Sequence, residues 1–157
     1  MPAAASASPS TTPALPLNPL ALRLGYAGLI PFVLGALLVW LLAGYNDDAH
    51  TFVVLGLSAY AGIVISFLGG IYWGLGMRQT IPSPQPFVWG VVPSLLAWVA
   101  VLMPAYAGLV LHGVMLIVCY LVDRHFYPQL GARAWLTLRF RLSAVAALSC
   151  FLGAAAI

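Results

Sequence analysis

The run from Thr51 to Met77 carries no charged side chain, and it is the feature that most constrains how this chain can fold. A helix rises about 1.5 Å per residue, so this run exceeds the length needed to cross a hydrocarbon core of about 30 Å. Apolar stretches longer than about 18 residues are typical of transmembrane helices. The excess length can be accommodated by a tilt of the helix in the bilayer. The sequence therefore predicts an integral membrane protein.

Similar runs cover most of the remaining chain. We predict an all-α bundle of five transmembrane helices, at about residues 24–44, 51–77, 87–103, 106–122 and 134–157. The chain is 63% hydrophobic and 6% charged, whereas soluble domains contain about 25% charged residues. This composition excludes a soluble fold. Residues 1–22 are rich in Pro, Ala and Ser with no charged side chain, and we predict a disordered tail there.

The positions of the arginines predict an orientation in the membrane. All six basic residues are arginines, in the connections before the first, third and fifth helices or close to them: 23, 78, 124, 133, 139 and 141. The positive-inside rule then places the N-terminus inside and the C-terminus outside. The all-arginine, alanine-rich composition favours a bacterial inner membrane over a mitochondrial one. The net charge of +3 is small and dispersed, which argues against nucleic-acid binding.

Small side chains recur every four residues along the second predicted helix. They are Ser58, Gly62, Ser66, Gly70 and Gly74. Residues four apart lie on one face of a helix, so this series predicts a ridge of small side chains. In lipid, small residues let two helix backbones approach closely, and close packing stabilises their contact. The series therefore predicts a helix-packing surface, which we expect to organise the chain's own bundle.

Several segments taken together resemble a known family. The most distinctive segment is SFLGGIYWG, within ISFLGGIYWGLGMR (65–78), and the others are LGYAGLIPFVLG (24–35), VVPSLLAWVAVLMP (91–104), CYLVDR (119–124) and RFRL (139–142). They resemble the family of transmembrane protein 69 and its bacterial relatives, a domain of unknown function. The resemblance implies a multi-pass membrane protein of bacterial inner membranes or mitochondria. It implies no reaction and no catalytic or binding residues.

Two ionisable side chains are candidates for a functional role. His112 lies well inside the fourth predicted helix, where an ionisable group faces either the bundle interior or a wet cavity. We favour a neutral, hydrogen-bonded packing residue over a proton or solute site, or a haem or metal ligand. Asp123 falls at the start of the loop that follows this helix, on the side that holds most arginines. We expect an ion pair that joins the fourth helix to the second or the fifth, with a proton or substrate site as the alternative.

Three further residues complete the candidate polar or transport site. Pro31 and Pro93 lie inside the first and third predicted helices, where each removes a backbone donor and frees a carbonyl group. Arg78 lies at the inner end of the second helix, on the same side as Asp123. The sequence contains no recognisable catalytic, phosphate-binding or haem-binding motif, and we predict no cofactor or metal.

Two hypotheses about function follow. The first is a small accessory, assembly or scaffold subunit that acts through helix packing, with other membrane subunits or a second copy as partners within the lipid bilayer. The alternative is an oligomeric small-solute or proton-coupled transporter, with His112, Pro31, Pro93 and Asp123 near its path. A polar cavity around His112 and Pro93 would favour transport, and dry packing would favour the scaffold.

Overall fold

The computed structural model of this chain describes residues 17–81 and 83–157. Within these residues the secondary structure is helical, and five helical segments are long and apolar enough to cross a membrane. The predicted all-α bundle of five spans is confirmed. Most of the predicted tail, residues 1–16, lies outside the described part of the chain.

The first span consists of two helices, and each of the other four contains one principal helix. They are α1 (Pro19–Ala27), α2 (Ile30–Leu42), α3 (Asp47–Gly76), α4 (Gln85–Leu102), α5 (Ala105–Phe126) and α6 (Leu136–Ala154). A short 3-10 turn, Arg133–Trp135, precedes α6. The predicted spans agree with these bounds to within about three residues, except at the starts of the first and second spans and at the end of the fourth.

The first helix begins within the predicted tail. The side chain of Asn18 accepts a hydrogen bond from the backbone N–H of Leu20 at 2.8 Å, so it caps the helix, and Pro19 occupies the first helical position. Proline is favoured there because its missing N–H group would have no helical partner. The tail prediction is therefore wrong for residues 19–22, where the several prolines were interpreted only as helix breakers.

The first span is interrupted between α1 and α2, close to Pro31. The interruption covers residues 28–29, and α2 begins at Ile30 with Pro31 in its first turn. Tyr60 of α3 donates a hydrogen bond to the carbonyl oxygen of Gly28 at 2.9 Å. A backbone group at a break in lipid needs such a partner, because no water is present to supply one. The aromatic rings of Phe32 and Tyr60 also pack edge to face.

The long helix α3 is the central packing helix, because it contacts α2, α4, α5 and α6. Its buried side chains recur at helical spacing and form the middle of the core; they include Val54, Leu57, Ala61, Ile65 and Leu68. The backbones of α3 and α4 come close together at Gly69. A Cβ added to this residue would lie 2.5 Å from the carbonyl oxygen of Gly90. Only glycine at position 69 permits this distance between the two backbones.

Only the first half of the ridge of small side chains packs against the other helices of the bundle. Ser58 and Gly62 are buried, and Ser66 is half-buried. Gly70 and Gly74 are exposed, with nothing within 4 Å of a Cβ added to either residue. For these two glycines the expectation of packing within the bundle is wrong. Residues four apart turn by about 40° relative to one another on a helix, so the series rotates away from the bundle as it descends.

Candidate functional site

An ion pair is buried within the bundle, between α5 and α6. The Nε and Nη2 atoms of Arg139 donate to Oδ2 of Asp123 at 2.7 and 2.5 Å. Asp123 is 1% exposed and Arg139 is 7% exposed. Both charges are therefore removed from water and lipid headgroups, where an unpaired charge would be costly.

The second oxygen of the Asp123 carboxylate is also satisfied. The hydroxyl group of Tyr72 on α3 donates to Oδ1 of Asp123 at 2.8 Å, and Tyr72 is 2% exposed. The carboxylate thus connects three helices, α3, α5 and α6, through three hydrogen bonds. Hydrogen bonds to a charged group are the stronger kind, and a buried charge requires them to offset its desolvation.

The structure corrects the predicted position of Asp123. Asp123 does not begin a loop but lies in the last turn of α5, which continues to Phe126. Of the two arginines near the start of α6, Arg139 turns inward and Arg141 is exposed, donating to the Tyr26 hydroxyl at 3.1 Å. The expected ion pair between the fourth and fifth spans is present, with Arg139 as the partner.

Aromatic rings cover the ion pair at the arginine-bearing end of the bundle. The ring of Tyr72 packs against Phe126 edge to face and against Tyr127 at a tilted angle. Tyr127, which follows the end of α5, is 3% exposed. Burial raises the pKa of Tyr127 to about 12, so its phenol is neutral at physiological pH. The cover is therefore uncharged and excludes water from the pair.

His112 lies in a separate, tightly packed part of the core. It is fully buried, its Nε2 is 3.3 Å from the carbonyl oxygen of Ala97, and its Nδ1 is 3.5 Å from Oγ of Ser58. A Cβ added to Gly62 would lie 3.5 Å from Nε2 of His112. Ser58 and Gly62, the buried residues of the small-residue ridge, thus provide the space for this ring. The contacts are those expected of a hydrogen-bonded packing residue.

The other candidate residues do not join either centre. Pro93 is buried on α4, and its Cγ would lie 3.6 Å from a Cβ added to Gly69. Pro31 is exposed beside the break in the first span, and Arg78 is exposed beyond the end of α3. The five candidate residues therefore occupy several places in the bundle and do not line one common path.

The geometry of the ion pair suits a structural role. The carboxylate accepts three hydrogen bonds, from Tyr72 and Arg139, and these hold it between α3 and α6. Within the described residues, no group of three or more His, Cys, Asp or Glu side chains could hold a metal ion. The arrangement can fix the relative positions of three helices.

Sequence reasoning missed two members of this centre. Neither Tyr72 nor Arg139 was predicted as a partner of Asp123. One signal was available: Asp123 is the sole acid among the arginines on its side of the chain. A carboxylate close to lipid needs a partner. The hairpin formed with the next helix brings Arg139 within reach of Asp123. The choice of Arg139 over Arg141 depends on the rotation of α6, which its apolar sequence does not reveal.

The fold defines a class: a multi-pass helical membrane protein whose described spans have almost no water-exposed domain between them. Residues 17–155 match the family described as a protein of unknown function (DUF3429). The chain belongs to that family.

One relative with a curated name is transmembrane protein 69 of Xenopus tropicalis. It is 39% identical to this chain over 85 residues, which are 52% of this chain and 32% of the relative. The match thus spans about a third of the relative's length. No solved structure matches this chain. The resemblance found in the sequence is confirmed.

Proposed function

We propose that this protein is an accessory or scaffold subunit that acts by helix packing within the membrane. The observation that supports this most directly is the environment of His112, which lies well inside the fourth span. Its ring is fully buried and contacts Ser58 and the Ala97 carbonyl group, with no exposure to a wet path. A transporter would use such a residue beside water or solute.

The exposed half of the ridge supplies a surface for a partner helix. Gly70 and Gly74 are four residues apart and open to the outside of the bundle. Glycine within a helix costs about 1 kcal/mol relative to alanine, and at these positions no packing among the described residues offsets that cost. Two glycines at this spacing are favourable for close association of helices in lipid. We infer that a helix of another subunit, or of a second copy, packs against this face of α3.

Substitution on this face tests the proposal. Gly70→Leu should lower the yield of complexes recovered in mild detergent about tenfold, because a leucine side chain prevents the close approach of two helix backbones. Gly56→Leu is the matched control: Gly56 is on the same helix, and a Cβ there also meets nothing within 4 Å. The control should change the yield less than twofold. Light-scattering mass and chemical crosslinking would measure both variants beside the parent protein.

Two results would count against this function. One is a strictly monomeric protein whose behaviour Gly70→Leu and Gly56→Leu leave equally unchanged. The other is solute or proton flux in reconstituted vesicles that His112→Ala abolishes while leaving the protein folded. We also propose the bacterial inner membrane as the location, supported by the all-arginine, alanine-rich composition of the chain.

A further inference from the structure

A polar cavity and an apolar groove adjoin each other at the arginine-bearing end of the bundle. The polar cavity, of about 350 Å³, is bordered by Arg78, Gln79, Gln129 and the backbone of the loop that precedes α6. The apolar groove, of about 520 Å³, lies between α1, α3 and α6. Leu75, Ala132 and Trp135 border both spaces, so one continues into the other.

The apolar groove extends further along α3. A second apolar cavity, of about 210 Å³, shares Leu24, Phe67 and Leu142 with it and reaches Tyr60. From Leu75 to Tyr60 the path follows α3 for about 22 Å, at about 1.5 Å per residue. One leaflet of a bilayer is about 15 Å deep in hydrocarbon. The groove is therefore long enough for an acyl chain of the leaflet at this end.

The polar cavity contains groups that suit a charged headgroup. Among the described residues, the Arg78 side chain has no ion pair or hydrogen bond, and it is exposed. The side-chain oxygen of Gln79 is buried and has no hydrogen-bond partner within the same residues. An arginine favours a phosphate oxygen, and the amide oxygen can accept a hydrogen bond from a headgroup hydroxyl.

We propose that this composite site binds an anionic glycerophospholipid. Its phosphate contacts Arg78, its headgroup hydroxyl donates to Gln79, and one acyl chain lies along the groove between α1, α3 and α6. The polar-to-apolar order of the site matches the order of a phospholipid along the membrane normal. The lipid site does not rest on the proposed scaffold role, since neither Gly70 nor Gly74 borders it.

Lipid titration of the purified full chain in mild detergent tests the headgroup. Binding of phosphatidylglycerol and phosphatidylcholine would be measured by native mass spectrometry. We expect phosphatidylglycerol to bind at least tenfold more tightly, and Arg78→Gln to weaken it about tenfold through loss of charge-assisted hydrogen bonds. Arg124→Gln is the matched control, since Arg124 is an exposed arginine near the same end that does not border the cavity. It should weaken binding less than twofold.

Filling the groove tests the acyl chain separately. Ile71 borders the groove, and Ile71→Trp should reduce phosphatidylglycerol binding about tenfold. Leu55→Trp, on the exposed side of the same helix, should leave binding within twofold. Soluble glycerol phosphate should not compete with the lipid, because it has no chain for the groove. The proposal is overturned if Arg78→Gln and Arg124→Gln have equal effects, if Ile71→Trp changes nothing, or if glycerol phosphate competes.

Discussion

Asp123 is the residue whose replacement should affect stability most sharply. Asp123→Leu leaves the Arg139 guanidinium buried without its anion, and removing one partner of a buried pair costs about 3–5 kcal/mol. The double variant Asp123→Leu/Arg139→Met removes both charges and should recover most of that loss. Unfolding in mixed detergent micelles, followed by circular dichroism, would measure the free energy of each variant.

The double variant also decides between the two interpretations of this aspartate. A structural ion pair can be replaced by apolar side chains of similar size with little loss. A double variant as unstable as the single one would contradict the structural role. Tyr72→Phe provides an intermediate case, because it removes one hydrogen bond and leaves the ion pair intact.

His112 should behave as a packing residue. His112→Ala opens a cavity in a fully buried site and should cost about 2–4 kcal/mol, measured by the same unfolding assay. Tyr106→Ala is a suitable control, because Tyr106 lies on the same helix and is 57% exposed. A stable His112→Ala variant would show that the ring does not support the core.

At the scale of single helices, two adjacent glycines of α3 should differ in their tolerance of a methyl group. Gly69→Ala places Cβ 2.5 Å from the Gly90 carbonyl oxygen, so α3 and α4 must move apart. We expect a loss of about 1–3 kcal/mol, as is usual for overpacked sites. Gly70→Ala meets nothing within 4 Å and should match or exceed the parent in stability, since alanine is the better helix former. Thermal unfolding of the two variants would compare them, and equal losses would contradict the packing described.

Gly69 and Gly70 also show which features of the fold could be predicted from the sequence and which could not. Uncharged runs long enough to cross lipid predicted all five spans, because hydrophobic length is a property of local sequence. Which face of α3 packs was predicted correctly only at Ser58 and Gly62. Packing follows a spacing of three and four residues, through Ile65 and Gly69, whereas a strict spacing of four rotates away from it.

The candidate site was less accessible to prediction than the spans. Asp123 and its need for a partner could be inferred from the cost of a charge in lipid. Tyr72 could not, because a tyrosine near the end of a span is equally suited to the membrane interface. Its inward direction is set by contacts with Phe126 and Tyr127, which only the assembled bundle defines.

At the scale of the whole molecule, the orientation in the membrane is directly testable. Arg78, Arg124 and Arg133 should face the inside, and the connection that ends at Asn46 should face the outside. Single cysteines at Gln79 and Asn46, in a variant whose buried cysteines are replaced, would be labelled with a membrane-impermeant thiol reagent on intact cells. We expect labelling at position 46 and protection at position 79 until the membrane is opened. The reverse pattern would contradict the orientation.

The ion pair between α5 and α6 also bears on how the chain enters the membrane. Asp123 and Arg139 lie on different helices, so the ion pair forms only when both helices are present, and the last span has the lowest mean hydropathy of the five, 1.4. A helix that carries an arginine inserts more readily when its carboxylate partner is already in the membrane. We therefore expect these two spans to insert together as a hairpin. When only α5 has been synthesised, the Asp123 carboxylate still lacks the arginine with which it pairs.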